Sequence, residues 1–384
     1  MATDVARIPL SVLDLAPVGS GQTTGEALHG SVALATRAEE LGFRRYWVAE
    51  HHNMPGIAST SPAILIAHAA AHTSRIRVGS GGVMLPNHAP LVVAEQFAML
   101  EALHPGRIDL GIGRAPGTDQ ATAAALRRTP EGLGAEDFPR ELGVLLALLG
   151  APAQAGGRAP RLTATPAAQS SPAVWLLGSS GYSAQVAAAL GLPFAFAHHF
   201  SARNTLPALD LYRSGFRASA VLDEPYAMVT QAVFVADTAE EAERLAQPAR
   251  LAQVSLRAGH PRALPSRDEA AAHVWTAAER EILAASPGRP TIGDPAGVRT
   301  ELAELVRATG ANELMVTTMT YGVDERLRSF ELLAKAWQQP TMSPHRIGPL
   351  LPDRAGEDDP TSWGDRADDP DERLRADVPP HHGA

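Results

Sequence analysis

The chain has 384 residues, 45% of them hydrophobic and 20% charged, which is the composition of an ordinary soluble enzyme-sized protein. Its net charge is −9, and ten acids against four arginines between 351 and 384 put most of it in the tail, so neither tail nor body offers a basic surface for nucleic acid or acidic lipid. There is no cysteine, which excludes disulfides, thiolate metal sites and cysteine nucleophiles and fits a reducing cytoplasm.

Residues 1–9 lack a basic segment followed by an apolar stretch, so no signal peptide is expected. Residues 8–15 form the first expected strand, followed by an amphipathic helix over 26–41 that Gly42 ends. The second strand, 46–49, stops on Glu50-His51-His52, and Pro62 behind Ser61 opens a helix to 72. Its apolar core, 63–71, is too short to span a membrane. Strands over 76–83 and 107–112 bracket a helix over 90–103. After a long segment, 114–172, that contains a helix over 141–149, strands follow at 174–177, 194–197 and 226–236. Helices follow these strands at 182–190, 206–217 and 240–246, and a last strand, 313–318, precedes a helix over 325–337.

Eight strand candidates alternating with helices predict an α/β protein, a (β/α)8 TIM barrel over 1–340 rather than an open doubly wound sheet. The connections 114–172 and 237–312 are too long for plain barrel loops and read as functional lids or disordered inserts. Residues 341–384, rich in proline and aspartate, read as a disordered acidic tail.

Four stretches could carry chemistry. Glu50-His51-His52 ends a strand at the carboxyl side, where α/β proteins bind ligands; the residues read either as proton-transfer groups or as ordinary loop histidines. A metal site would need a distant third ligand such as His198 or His199, and no helical ligand spacing supports one. In Val78-Gly79-Ser80-Gly81-Gly82-Val83-Met84-Leu85-Pro86, three glycines within a strand read either as tight packing or as a platform for a planar ring. The run Gly111-Ile112-Gly113-Arg114 is a poor dinucleotide fingerprint, but Arg114 at a strand end can hold a phosphate bidentately. Gly178-Ser179-Ser180-Gly181-Tyr182-Ser183 joins a strand to a helix start, which suits either N-capping or anion binding. Phe194, Phe196, His198 and His199 could line a pocket, although core packing explains phenylalanines as well.

Together these motifs, with Asp294-Pro295 and Glu313-Leu314-Met315-Val316, resemble the bacterial-luciferase-like family of flavin-dependent monooxygenases, up to about residue 337. Within it, the chain resembles luciferase-like oxygenases that tailor aromatic polyketides, such as that of the mensacarcin pathway. The resemblance implies a barrel, commonly dimeric, that binds flavin mononucleotide (FMN). It implies His51 as the catalytic histidine, with Glu50, Gly81, Gly82, Arg114, Gly178, Ser179, Ser180 and Ser183 holding the cofactor, a cis peptide at Gly81–Gly82 and a lid in 237–312. Gly113 stands where luciferase has a reactive cysteine, which argues against light emission.

The expected activity is that of a two-component enzyme. Reduced FMN from a separate flavin reductase reacts with O2 to a C4a-peroxyflavin, which hydroxylates or epoxidises an organic substrate. A deazaflavin- or FMN-dependent hydride transfer and a non-catalytic flavin-binding subunit are the alternatives.

Overall fold

The structure is a computed structural model that describes residues 8–115, 119–126, 137–150, 162–166, 170–286 and 288–338. The expected tail, 341–384, and much of the segment 114–172 lie outside the described residues. The strands are β1 (Leu10–Asp14), β2 (Arg45–Val48), β3 (Arg77–Met84), β4 (Ile108–Gly113), β5 (Ala173–Gly178), β6 (Phe194–Phe196), β7 (Ala227–Val235), β8 (Thr291–Gly293) and β9 (Glu313–Thr317). Eight of them, β1 to β7 and β9, close a parallel barrel in which β9 lies between β7 and β1. These are the eight strands expected from the sequence.

Alternation along each strand sorts side chains into two layers. Val12, Tyr46, Val48, Val78, Ile108, Leu110, Leu314 and Val316 point outward into the main core beneath the helices. Leu13, Trp47, Trp175, Met228 and Met315 point inward and fill the middle of the barrel. The surrounding helices start where the caps require. Thr23 and Glu26 form a reciprocal capping box before Thr24–Glu40, and Asp294 with Pro295 opens Pro295–Thr309.

The segment 237–312 departs from the expectation of a loop-like insert. The helix expected over 240–246 runs on as Ala239–Arg257, through Pro248, whose side chain is buried. Helices Arg267–Ala272, Ala277–Ala284 and Pro295–Thr309 follow, with β8 between the last two. The strand β7 makes this possible. Its Met228–Ala232 half pairs with β9 in the barrel, and its Val233–Val235 half rises above the rim to pair with β8. The insertion therefore grows out of a barrel strand.

The floor of the barrel is a buried ionic cluster. Arg45 donates to Glu313 at 3.0 Å and to Asp109 at 2.8 Å, and Asp109 also accepts from Arg77 and from the Trp47 indole. Ser11 and Tyr226 complete the bonding of Glu313. Burial acts to depress the Arg45 pKa, but the two carboxylates hold it above its ordinary value. Removing one member of such a cluster strands the opposite charge in a dry interior. Asp109→Asn is therefore expected to lower stability by about 3–5 kcal/mol, read by urea unfolding, without loss of the cavity at the other end.

Candidate active site

At the carboxyl end of the barrel the inward positions become small. Ala49, Gly81, Gly113, Ala195, Ala197 and Ala232 line a cavity of about 570 Å³ there. Ala249, Gln253 and Leu256 from the long insertion helix, with Leu264 and Pro290 beyond it, form the upper wall. His51, Gly81, Arg114, Gly178, Ser179, Ser180 and Ser183 all line this one cavity. Four motifs far apart in sequence thus converge on a single site.

The glycine run of β3 divides between its two readings. A Cβ at Gly79 would come within 2.5 Å of the Asp109 carbonyl, and one at Gly111 within 2.1 Å of the Ser80 carbonyl, so these positions serve strand packing. Gly81 instead faces the cavity, and the Gly81–Gly82 peptide is cis, where the pairing to β4 shifts register. Gly82 does not line the cavity; a Cβ there would meet Gly111 at 2.8 Å.

Glu50 is also absent from the cavity wall, and its side chain is fully buried. Its Oε1 accepts from His52 at 2.9 Å, His88 at 2.8 Å and Asn87 at 3.1 Å, while Oε2 accepts from the Met84 amide. Burial would raise its pKa, but these bonds hold it below the ordinary carboxylate value. Glu50 therefore positions the site and does not face a ligand. It ties the His51 loop to the turn that follows β3, and the Ser59 carbonyl fixes the His51 amide at 3.0 Å.

The His51 side chain lines the cavity, and its buried Nδ1 has no partner among the described residues. Burial lowers its pKa, with Glu50 acting in the opposite direction. On the other wall, Arg114 stacks on Tyr182, its Cζ 4.3 Å from the ring centroid. Ser180 is the N-cap residue of the helix Gly181–Leu190, yet its side chain makes no capping bond. The helix start, with its amides, thus opens toward the cavity beside Arg114, and Ser201 braces the turn by donating to the Ser179 carbonyl at 2.7 Å. A guanidinium, serine hydroxyls and a helix N-terminus at one end, with a glycine wall at the other, fit a phosphate joined to a flat ring.

Of the expected pocket residues, Phe194 and Phe196 are fully buried in the outer core. His198 turns away, its Nδ1 paired with Thr205 Oγ1 at 2.7 Å. His199 lines the cavity. No group of three or more metal-ligating side chains occurs among the described residues. Sequence reasoning missed Thr317 and read the insertion helix only over 240–246, short of the part that reaches the cavity. Strand alternation from Glu313 and Met315 would have placed Thr317 inward.

The luciferase-like monooxygenase family model matches residues 8–313. The chain belongs to that family. Bacillus subtilis (strain 168) YvbT is 48% identical over 329 residues, 86% of this chain and 96% of the relative. The Escherichia coli (strain K12) luciferase-like monooxygenase is 46% identical over 325 residues, 85% of this chain and 96% of that protein. The Bacillus subtilis (strain 168) N-acetyl-S-alkylcysteine monooxygenase is 36% identical, covering 86% of this chain and 98% of its own length. Among solved structures, apo-MsnO8 superposes with a TM-score of 0.77 at 40% identity over 87% of this chain and all of its own. Two more distant ones share the fold: the oxygenating constituent of 3,6-diketocamphane monooxygenase from Pseudomonas putida in complex with FMN (TM-score 0.62, 18% identity, 86% of this chain, 98% of its own) and an F420-dependent secondary alcohol dehydrogenase (0.61, 14%, 86% and 99%). The chain is thus an oxidoreductase of the luciferase-like monooxygenase family.

Burial lowers the pKa of both histidines on the wall. Burial pushes His199 down to about 4, with the neighbouring His198 and His51 adding to the shift and a bond to Thr230 opposing it. Its folded pKa lies below the ordinary value of 6.5, so the unfolded chain takes up the proton first as pH falls. Its contribution to stability is then full above pH 6.5 and declines toward pH 4. Melting temperature is expected to fall more steeply across that window in wild type than in His199→Gln.

Proposed function

We propose that this chain is the oxygenase of a two-component flavin monooxygenase, using reduced FMN from a separate flavin reductase and O2 to hydroxylate or epoxidise an organic substrate. The observation that carries the reading is the meeting of His51, Gly81, Arg114 and the turn 178–183 in one cavity at the carboxyl end of the barrel. When bound, reduced FMN supplies the activation of O2 and the delivery of one oxygen atom.

The chain's own residues bind, orient and shield. Arg114 and the hydroxyls of Ser179, Ser180 and Ser183 hold the phosphate against the free helix start. Gly81 leaves room for the ring edge, and the inward Leu13, Trp47 and Leu177 close the floor below it. The apolar wall and the insertion helix exclude water. His51, kept neutral by burial, offers Nδ1 for hydrogen bonding to the reacting end and can pass a proton there. Glu50 sets the height of that ring through the loop it anchors.

Anaerobic titration tests the cofactor. Reduced FMN should bind more tightly than reduced deazaflavin, and the reverse order would replace oxygenation by hydride transfer. Arg114→Ala is expected to weaken FMN binding about 10–100-fold, the range for a charged hydrogen-bond pair. His51→Ala should keep FMN but lose coupled oxygenation, releasing hydrogen peroxide instead; unchanged product yield would remove His51 from the mechanism. No oxygen-dependent product across substrates with bound reduced FMN would favour a non-catalytic flavin-binding subunit.

The assembly proposed is a homodimer in the cytoplasm. Ile64 (72% exposed), Leu103 (63%), Met99 (52%) and Val92 (46%) lie bare on the adjacent helices Pro62–Ala71 and Pro90–Leu103. On the second helix Val92, Met99 and Leu103 fall on one stripe, a self-complementary apolar face suited to a twofold contact. No described helix is long and apolar enough to cross a membrane. Met99→Glu with Leu103→Glu is expected to halve the mass in sedimentation while leaving the fold intact; an unchanged mass would place the interface elsewhere.

A further inference from the structure

The barrel divides the cavity into two arcs. In the ring of eight, β2 and β6 stand four strands apart, so His51 and His199, which follow them, face each other across the mouth. One arc between them, β3 to β5, carries Gly81, Arg114 and the 178–183 turn, the cofactor side proposed above. The other arc, β7, β9 and β1, carries different side chains: Phe234, Met315, Met319 and Leu15, with Leu256 of the insertion helix above. Resting on the flavin reading, we propose that this second arc is the substrate subsite, with His199 and Thr317 as its polar anchor, and that it takes a largely apolar, uncharged substrate bearing a phenolic or enolic hydroxyl.

The chemistry follows from atom roles. His199 Nδ1 lies 3.3 Å from the Thr230 carbonyl. A carbonyl only accepts, so Nδ1 carries the ring proton and Nε2 is left as an acceptor on a residue that lines the cavity. Burial keeps this imidazole neutral at physiological pH. It therefore suits a donor O–H and gives no attraction to a carboxylate. Thr317, paired with Ala232 two register positions above Thr230–Met315, lines the same arc; its Oγ1 is buried without a partner among the described residues. A buried hydroxyl of this kind gains most from a ligand that bonds it.

The cations near this arc do not change the reading. Arg250 is paired with Glu243 at 2.7 Å, and Arg262 is exposed at the rim. The insertion also fixes His199 in place. Gly288 lies so close that a Cβ there would come within 1.8 Å of the His199 carbonyl, and Arg289 accepts from Gln231 at 2.9 Å. The backbone of His199 thus packs against the insertion while its ring is oriented by the Thr230 carbonyl.

Binding of 1-naphthol, 1-methoxynaphthalene and 1-naphthoate to the full-length protein, followed by tryptophan fluorescence with and without FMN, tests the anchor. Wild type is expected to prefer 1-naphthol over the methyl ether about 5–10-fold, the range for one neutral hydrogen bond, and over the naphthoate by more. His199→Phe should abolish the preference, whereas His199→Gln should keep it, because its amide can donate to Thr230 and present an oxygen. Thr317→Val should reduce it about two- to threefold. Equal affinity for naphthol and ether in wild type, tighter naphthoate binding, or a preference that survives His199→Phe overturns the proposal. If His199→Phe does not fold, an undiminished preference in Thr317→Val overturns it instead. FMN affinity is read separately, so failure of the flavin reading shows as lost FMN binding while the naphthol preference still reports on His199.

Discussion

Arg45 spans the floor of the barrel between Asp109 and Glu313, and this plug makes the open upper end affordable to the fold. A closed barrel needs its interior filled, in layers contributed by alternate strands. Here the lowest layer is ionic and fully bonded, and the middle layer is two tryptophans, two methionines and a leucine, with Trp47 and Trp175 edge to face at 5.2 Å. Trp47 joins the two layers, its ring in the apolar cluster and its indole N–H on Asp109 at 3.0 Å. With the lower two-thirds dense and rigid, the upper layer can be alanine and glycine. The cavity is the consequence of side-chain size, together with the register shift of β3 at Gly81–Gly82.

The same logic of support recurs at Glu50. A buried carboxylate is costly unless its lone pairs are met, and here they are met by one backbone amide, one amide side chain and two imidazoles. Those partners come from the loop after β2 and the turn after β3. Glu50 thus locks together the element bearing His51 and the element bearing Gly81. The motif of an acid followed by two histidines resolves into three tasks: Glu50 braces, His52 bonds the brace, and His51 faces the cavity.

Most of the barrel was legible because parallel strands buried on both faces are short runs of β-branched and aromatic residues, and each is punctuated by a helix with a clear start. Residues 8–15, 46–49 and 313–318 are read within two residues of the observed strands. The insertion was not legible for equally physical reasons. Pro248 looks like a stop, yet its buried ring is accommodated inside Ala239–Arg257, and β8 has three residues whose pairing partner is the far half of β7. A strand defined by a distant neighbour leaves little local pattern. Asp294, Pro295 and Gly310 cap Pro295–Thr309, a helix the sequence reading did not place. In the site, the family resemblance pointed to Glu50 and Gly82 as cofactor-holding groups, but tertiary packing turns them from the cavity. His198 and His199 could be separated only by structure, since a short helical turn sends one to Thr205 and the other to Thr230.

Placement of the insertion ties substrate choice to the stability of the site. It springs from β7, returns through β8 on the same strand, and is pinned to the first barrel loop where Leu264 exchanges backbone bonds with Val18 and Ser20. Arg267 reinforces this by bridging Glu241 and Glu325, so the cover is held to the barrel at both ends. Its inner surface supplies Ala249, Gln253, Leu256 and Pro290 to the cavity wall. Changes in the cover can therefore reshape the cavity wall without altering the strand ends that carry Gly81, Arg114 and the serine turn. A fold arranged in this way can keep one cofactor geometry and vary its substrates through the one element that local sequence signals describe least well.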